Sequence, residues 1–235
     1  MNKTVFITGA DKGLGFSLAK RFLRGDYRVF AGQYLDGNDL KKLAEQNPQR
    51  LTMVGLDVTD PGSVQKAAET VLEHSSTLDI LINNAAVYLE RPIKNLEELG
   101  FGDNHFQKTM DVNAFGPLRV VQQFLPLLEK GERKLIANIS SEAGSITDCE
   151  RTAEYAYCMS KTALNMGSKI LQNYLKPRGY KVLAIHPGWM KTDMGTMEAD
   201  FHPDDVAEDI FKLLMKTWQP EDEIFIDHLG KPLPW

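Results

Sequence analysis

Only two cysteines, Cys149 and Cys158, occur in 235 residues, and they have neither a CxxC pattern nor metal-ligand spacing. They read as reduced thiols, which leaves no disulfide framework or zinc site to organise the fold. The five histidines (74, 105, 186, 202 and 228) are scattered, so no metal site is expected. No apolar run approaches the roughly 20 residues of a membrane-spanning helix. The N-terminus, Met1-Asn2-Lys3-Thr4-Val5, runs straight into a strand pattern without the apolar region of a signal peptide, so the expected location is cytoplasmic. There is no basic excess either: Lys+Arg 27 against Asp+Glu 32 gives a net charge of -5, which argues against nucleic acid or an anionic membrane as partner. Internal repeats, linkers and low-complexity stretches are absent as well. What is present is 43% hydrophobic residues in a chain long enough to bury one sizeable core, which implies a single domain over residues 1–235.

Thr4 to Thr8 is a β-branched apolar run, followed at once by Gly9-Ala10-Asp11-Lys12-Gly13-Leu14-Gly15 and then by helical composition from Ser17 to Arg24. Strand, glycine-rich turn and helix in that order bring backbone N–H groups and a positive dipole end to a pyrophosphate. A second strand, Arg28 to Gln33, ends in Gln33-Tyr34. An acidic residue there would bind the 2′-hydroxyl of NAD and repel the 2′-phosphate of NADP. None appears before Asp36, and Lys12 is available to pair with a phosphate, so NADP(H) is favoured and NAD(H) remains possible.

Further strands are read at Leu51–Leu56, Leu78–Ile82, Lys134–Ile139, Val182–Ile185 and Glu223–Ile226. Helices are read from Pro61 toward Glu73, capped by Asp60 or Thr59, and from Pro203 to Thr217. Asn95-Leu96-Glu97-Glu98 has capping-box spacing and predicts a long helix running to about Leu128. Asp57 either accepts from an adenine amino group or caps its own turn. The alternation of strand and helix implies an α/β fold: a Rossmann-type, doubly wound parallel sheet of about seven strands with helices on both faces. Ligands bind beyond the carboxyl ends of such strands, where Gly9, Asp57, Asn83, Ser141 and Gly188 fall.

Within a helical pattern whose less polar positions are Ala156, Met159, Ala163, Leu164, Met166 and Leu171, Tyr157 and Lys161 stand four residues apart on one face. A fixed ammonium favours a phenolate, and lowering a phenol by about three pKa units takes roughly 4 kcal/mol. Such a phenol exchanges a proton with an alcohol or carbonyl oxygen near neutral pH.

Thr8-Gly9-x-x-x-Gly13-x-Gly15, Asp57-Val58, Asn83-Asn84-Ala85, Asn113, Ile139-Ser140-Ser141, Tyr157-x-x-x-Lys161 and Pro187-Gly188-x-x-x-Thr192-Asp193 occur in this order. The whole chain thereby resembles the short-chain dehydrogenase/reductase family. The segments 144–148 and 155–165 and the ending Gly230 to Trp235 are similar to its C-factor and sniffer-type carbonyl reductase branch, which is generally NADPH-linked. The resemblance implies a catalytic tetrad of Asn113, Ser141, Tyr157 and Lys161. Tyr157 would move the proton, Lys161 would lower its pKa and hold the nicotinamide ribose, Ser141 would steady the carbonyl oxygen, and Asn113 would hold a water. It also implies cofactor contacts from Gly9, Asp11, Lys12, Gly13, Leu14, Gly15, Gln33, Tyr34, Asp57, Val58, Asn83, Ala85, Tyr157, Lys161, Pro187, Gly188 and Thr192. The partner would be a small carbonyl or alcohol substrate, in a homodimer or homotetramer. The alternative is an NAD(P)-binding signalling or sensor protein of the C-factor type with incidental catalysis.

Two departures stand out. Ala86 replaces the usual glycine, so the turn after the fourth strand is expected to differ slightly. The 16-residue spacing from Ser141 to Tyr157 brings Glu142, Asp148, Glu150 and Glu154 near the mouth of the site, either to meet a basic substrate or simply as a solvated loop. Trp189, Met190, Met194 and Phe201 are expected as apolar walls of a short lid, and Val87 and Tyr88 as the opposite side or as core.

Overall fold

The computed structural model describes residues 3–102, 104–219 and 221–235, so Met1 and Asn2 of the N-terminal run lie outside the described residues. Seven strands alternate with helices: β1 (Thr4–Ile7), α1 (Gly13–Arg24), β2 (Arg28–Gln33), α2 (Asn38–Gln46), β3 (Leu51–Gly55), α3 (Pro61–His74), β4 (Ile80–Asn83), α4 (His105–Met110), α5 (Gly116–Leu128), β5 (Leu135–Ile139), α6 (Tyr155–Leu175), β6 (Lys181–His186), α7 (Pro203–Met215) and β7 (Phe225–Asp227). The strands form one sheet in the order β3-β2-β1-β4-β5-β6-β7, and every pairing is parallel. All residues of β1, β4 and β5 are buried, as strands covered on both faces must be.

Two apolar layers sandwich the sheet. One face packs against α1, α2 and α7 through Leu18, Phe22, Leu40, Ile210 and Leu214. The other packs against α3, α5 and α6 through Val64, Val71, Val120, Phe124 and Leu175. Each fully buried large apolar side chain contributes about 1.5–3 kcal/mol of transfer free energy, so this double layer is what holds the strand ends in place. The chain winds outward from β1 to β3, then returns to start β4 on the other side of β1. The crevice at that reversal, between the carboxyl ends of β1 and β4, is where this topology places a ligand.

α3 starts as the sequence indicates, with Asp60 Oδ1 accepting from the Gly62 N–H at 2.9 Å and Pro61 in the first turn. The segment after Asn95 does not. There the Glu98 carboxylate accepts from the Asn95 N–H, but the box opens only a 3-10 turn at Leu96–Glu98. Helix resumes at His105, and Asp111–Phe115 forms a π-turn before α5. The expected helix to Leu128 is therefore a 3-10 turn, the short α4, a π-turn and α5. The π-turn inserts one extra residue, which rotates the side chains beyond it by about 100° relative to those before.

The face of α6 also differs from the apolar pattern read in the sequence. Its buried side carries Ser160, Lys161, Asn165, Ser168 and Gln172, whereas Met159, Met166, Ile170 and Tyr174 are exposed. Except for Gln172 Nε2, which has no partner, these buried polar groups are hydrogen-bonded. Asn165 Oδ1 accepts from Ser140 Oγ at 2.6 Å, Ser168 Oγ accepts from the Asn138 amide at 2.8 Å, and Gln172 Oε1 accepts from the Val182 N–H at 2.6 Å. A ladder of hydrogen bonds thus fixes α6 in register against β5 and β6.

Candidate active site

At the carboxyl ends of the strands lies a cleft of about 1380 Å³. Gly9 has φ +63, and a Cβ there would come within 2.9 Å of Ala85 Cα. A Cβ on Gly15 would stand 2.2 Å from Gly9 O and 2.5 Å from the Asn84 amide nitrogen. Glycine at both positions lets the turn after β1 lie directly against the end of β4. Thr8 Oγ1 then accepts from the N–H groups of Asn84 and Ala85, both at 2.9 Å, and the Asn84 amide donates to Thr8 O and Gly9 O, both at 3.0 Å. Gly9, Asp11, Lys12, Gly13 and Leu14 line the cleft beside the N-terminus of α1. Ala86 is not among the described residues with positive φ, so the departure from glycine needs no left-handed backbone.

Tyr34, Asp57, Val58, Ala85, Ser141, Tyr157, Lys161, Pro187, Gly188 and Thr192 also line the cleft. Gly15, Gln33, Asn83 and Asn113 do not. Gly15 packs behind the turn, as described. Gln33 keeps Oε1 buried and unpartnered, while the neighbouring Tyr34 is exposed at the cleft. Asn83 faces into the sheet, where its amide donates to Asn138 Oδ1 at 2.8 Å, and the cleft residue of the Asn-Asn pair is Asn84. In β4 the direction of side chains alternates, so adjacent residues of similar chemistry have opposite fates. Asp57 Oδ1 accepts from the N–H and hydroxyl of Thr59 at 2.8 and 2.7 Å, which is the turn-capping role. Lys12 Nζ is 2.8 Å from Asp193 Oδ2 and joins the glycine turn to the segment after β6.

Asn113, on the π-turn, is fully buried. Its Oδ1 accepts from the Val87 N–H at 2.8 Å, and its amide donates to Val87 O at 2.9 Å and Ser160 Oγ at 3.0 Å. Its side chain therefore ties the loop after β4 to α6. Lys161 is buried, donates to Ile139 O at 2.9 Å, and lies 5.7 Å from the centre of the Tyr157 ring. Burial drives the two groups apart: the Lys161 ammonium falls to about 8, and the Tyr157 phenol rises to about 12, with the Ser141 hydrogen bond pulling the phenol back. The depressed phenol expected from helical spacing is not found here: burial of the phenolate outweighs the Ser141 hydrogen bond and the Arg151 charge that pull the other way.

Several groups around Tyr157 were not legible as part of the site. The Glu90 carboxylate, from the loop after β4, accepts from the Ala156 and Tyr157 N–H groups at 3.1 and 2.8 Å and so caps the helix that carries the tyrosine. No local pattern announces such a cap, because it comes from about 66 residues away. Tyr88 packs edge-on to Tyr157 with ring centres 5.1 Å apart and donates to Glu154 Oε1 at 2.6 Å. Arg151 bridges Glu154 and Glu142, the latter at 2.6 Å. Of the four acids noted in the sequence, Glu142 and Glu154 line the cleft and share that arginine, so the mouth carries no free pair of negative charges. Burial raises the Glu142 carboxyl, but its hydrogen bonds from Ser141 and Arg151 and the arginine's charge bring it below the usual range. Trp189, Met190, Met194 and Phe201, with Val87 and Tyr88, line the cleft as apolar walls. Both cysteines are free, no group of metal-ligating residues occurs among the described residues, and no described helix is long and apolar enough to cross a membrane.

A model of the short chain dehydrogenase family matches residues 3–202. The chain belongs to that family. It is 34% identical over 158 residues to the C-signal of Myxococcus xanthus, covering 67% of this chain and 93% of that protein. It is 36% identical over 234 residues to mouse estradiol 17-beta-dehydrogenase 2, which covers 98% of this chain but only 55% of the longer relative. The NADPH-bound carbonyl reductase from chicken fatty liver superposes with a TM-score of 0.90 at 32% identity, covering 100% of this chain and 99% of that one. The carbonyl reductase Sniffer of Drosophila melanogaster superposes with a TM-score of 0.91 at 26% identity, with both chains covered in full. The fold and the branch resemblance read from the motifs agree with these comparisons.

Proposed function

We propose that the protein is an NADP(H)-dependent oxidoreductase that interconverts a carbonyl and a secondary alcohol. The observation that carries this reading is the convergence of Ser141, Tyr157 and the buried Lys161 on one wall of a cleft whose far end is a glycine turn at a helix N-terminus. The residues fit a dinucleotide: the close approach at Gly9 and Gly15 leaves backbone N–H groups at the start of α1 for a pyrophosphate. Pro187, Gly188 and Thr192 border the same cleft, Tyr34 and Asp57 flank its adenosine side, and Lys12 is the cation for a 2′-phosphate, which would compete with Asp193 for it. When bound, the nicotinamide supplies the hydride.

The chain's own residues manage the proton. Ser141 donates a hydrogen bond to the carbonyl oxygen and orients it toward Tyr157. Tyr157, protonated in the free site, gives its proton to that oxygen as negative charge develops there. Lys161 then stabilises the phenolate left behind. Its charge is held by β5, so it needs no rearrangement at that moment. Asn113 and Glu90 fix the loop and the helix on which these groups stand.

Likeness to the NADPH-bound carbonyl reductase supports the cofactor choice, and Gln33-Tyr34 at the end of β2 presents no carboxylate to a 2′-phosphate. The exposed apolar stripe of α6, with Phe115 of the π-turn and Leu118 of α5 exposed as well, supports a homodimer or homotetramer sealed through these helices. Likeness to the C-signal favours a second reading, a signalling protein that binds the cofactor and turns over little. The deciding assay is NADPH oxidation with a panel of ketones and aldehydes. Tyr157→Phe should lower turnover by orders of magnitude and leave cofactor binding intact, and undiminished turnover would overturn the mechanism. Cofactor binding without turnover of any carbonyl by the unaltered protein would favour the signalling reading. Lys12→Ala should lower the preference for NADPH over NADH.

A further inference from the structure

The hydroxyl of Ser141 has one proton, and it is already committed. Ser141 Oγ donates to Glu142 Oε2 at 2.6 Å, accepts from the Ala143 N–H at 3.1 Å and also meets the Tyr157 hydroxyl, which as a phenol is the donor of that pair. To hold a carbonyl oxygen, Ser141 must turn that proton away from Glu142. Glu142 is poorly placed to follow, because its Oε1 is held 2.6 Å from Arg151, which is itself tied to Glu154. Nor does a neighbour make good the loss. His186 Nδ1 lies 3.1 Å from Oε2, but it accepts the Glu142 N–H at 3.2 Å, and burial keeps the ring neutral, so it offers a lone pair rather than a proton. Glu142 is exposed in the free cleft, where solvent can serve Oε2, but a substrate seated against Ser141 covers it and leaves Oε2 beside another acceptor with its one donor withdrawn.

Resting on the reductase reading above, we propose that Glu142 selects carbonyl substrates that carry a hydroxyl or amine on the adjoining carbon. In such a fragment the carbonyl oxygen takes the proton of Ser141, while the neighbouring donor, within one hydrogen-bond length of that oxygen, supplies the proton that Oε2 loses. A plain ketone takes the same serine proton and returns nothing. A hydrogen bond to a charged acceptor sets the size of the discrimination at about tenfold to a hundredfold in kcat/KM. The role is recognition: Glu142 accepts from the substrate and takes no part in moving hydride or proton.

The test compares α-hydroxyacetophenone with propiophenone, in which a methyl group replaces the hydroxyl, in wild type, Glu142→Ala and Glu142→Gln, with NADPH oxidation as readout. Dividing each variant's ratio of kcat/KM values by that of wild type cancels the intrinsic difference in reactivity. The expected result is a selectivity ratio at least about tenfold lower in Glu142→Ala, through a loss on the hydroxy ketone and no loss on propiophenone, with Glu142→Gln in between. NADPH titration by fluorescence checks that each variant keeps its fold and cofactor site. A ratio unchanged across the three proteins, or an equal loss on both ketones, would overturn the assignment while leaving the reductase reading standing. Failure of wild type to oxidise NADPH with any carbonyl would overturn both.

Discussion

Replacing Lys161 by methionine should change how stability depends on pH in a calculable way. Lys161 is fully buried, and its pKa falls from the ordinary 10.5 to about 8 because the ammonium is desolvated. The difference of about 2.5 corresponds to roughly 3 kcal/mol. Below pH 8 the lysine is charged in both the folded and unfolded chain, and the folded state bears this penalty in full. Between about 8 and 10.5 the folded chain has released the proton and the unfolded chain still holds it. The unfolded state then binds more protons, so stability rises with pH; above 10.5 the gain is complete. Lys161→Met lacks this group and matches its length. The unfolding free energy of wild type minus that of the variant, measured by urea denaturation without cofactor, should therefore climb by up to about 3 kcal/mol across that window. Other titrating groups are common to both proteins and cancel. At neutral pH the variant escapes the penalty but forgoes the bond to Ile139 O, so the two proteins should differ little in stability while only one is active. A difference that stays flat from neutral pH to 10.5 would refute the reasoning, since it would mean that the ammonium is not desolvated.

Three further outcomes follow from the same geometry. Gly15→Ala places a Cβ 2.2 Å from Gly9 O and should weaken NADPH binding, measured by fluorescence titration, at least tenfold, because the glycine turn must move. Glu90→Ala should cost about 1 kcal/mol of stability in thermal unfolding and lower kcat more than it raises KM, because the cap it removes orients Tyr157 rather than the substrate. Met166→Asp together with Ile170→Asp should shift the protein to monomer in light scattering, since both side chains stand exposed on the apolar stripe of α6.

The sheet was legible in the sequence because strands buried on both faces are nearly continuous apolar runs, and each ends in the glycine or polar residues that close it. Most of the misreadings arise where something other than the local helical period decides the outcome. The expected helix to Leu128 follows the capping box at Asn95, but the chain unwinds after Glu98 and the π-turn at Asn113 shifts the rotational phase midway, which no single helical period can describe. On α6 Met159, Met166 and Ile170 face outward while Asn165, Ser168 and Gln172 join Ala156 and Leu164 on the inner side, because β5, the residue after it and the start of β6 supply the polar groups with partners lying 10 to 30 residues away in sequence. The preference for Asn83 over Asn84 turns on strand phase alone. Glu142 was visible as an acid near the mouth, but its bond to Ser141 depends on how Arg151 and His186 close around it.

The anchoring of Lys161 to the carbonyl of Ile139 has a consequence for how this cleft can diversify. Its charge is set by the central sheet, and α6 is laced to the same strands, whereas Tyr88, Arg151, Trp189 and Met194 belong to the connections between elements. Proton chemistry and substrate choice therefore rest on mechanically separate supports. The connections can be exchanged to admit a new carbonyl without retuning the acid that serves it. Glu142, one residue beyond Ser141, stands at the joint between the two, on the side of recognition.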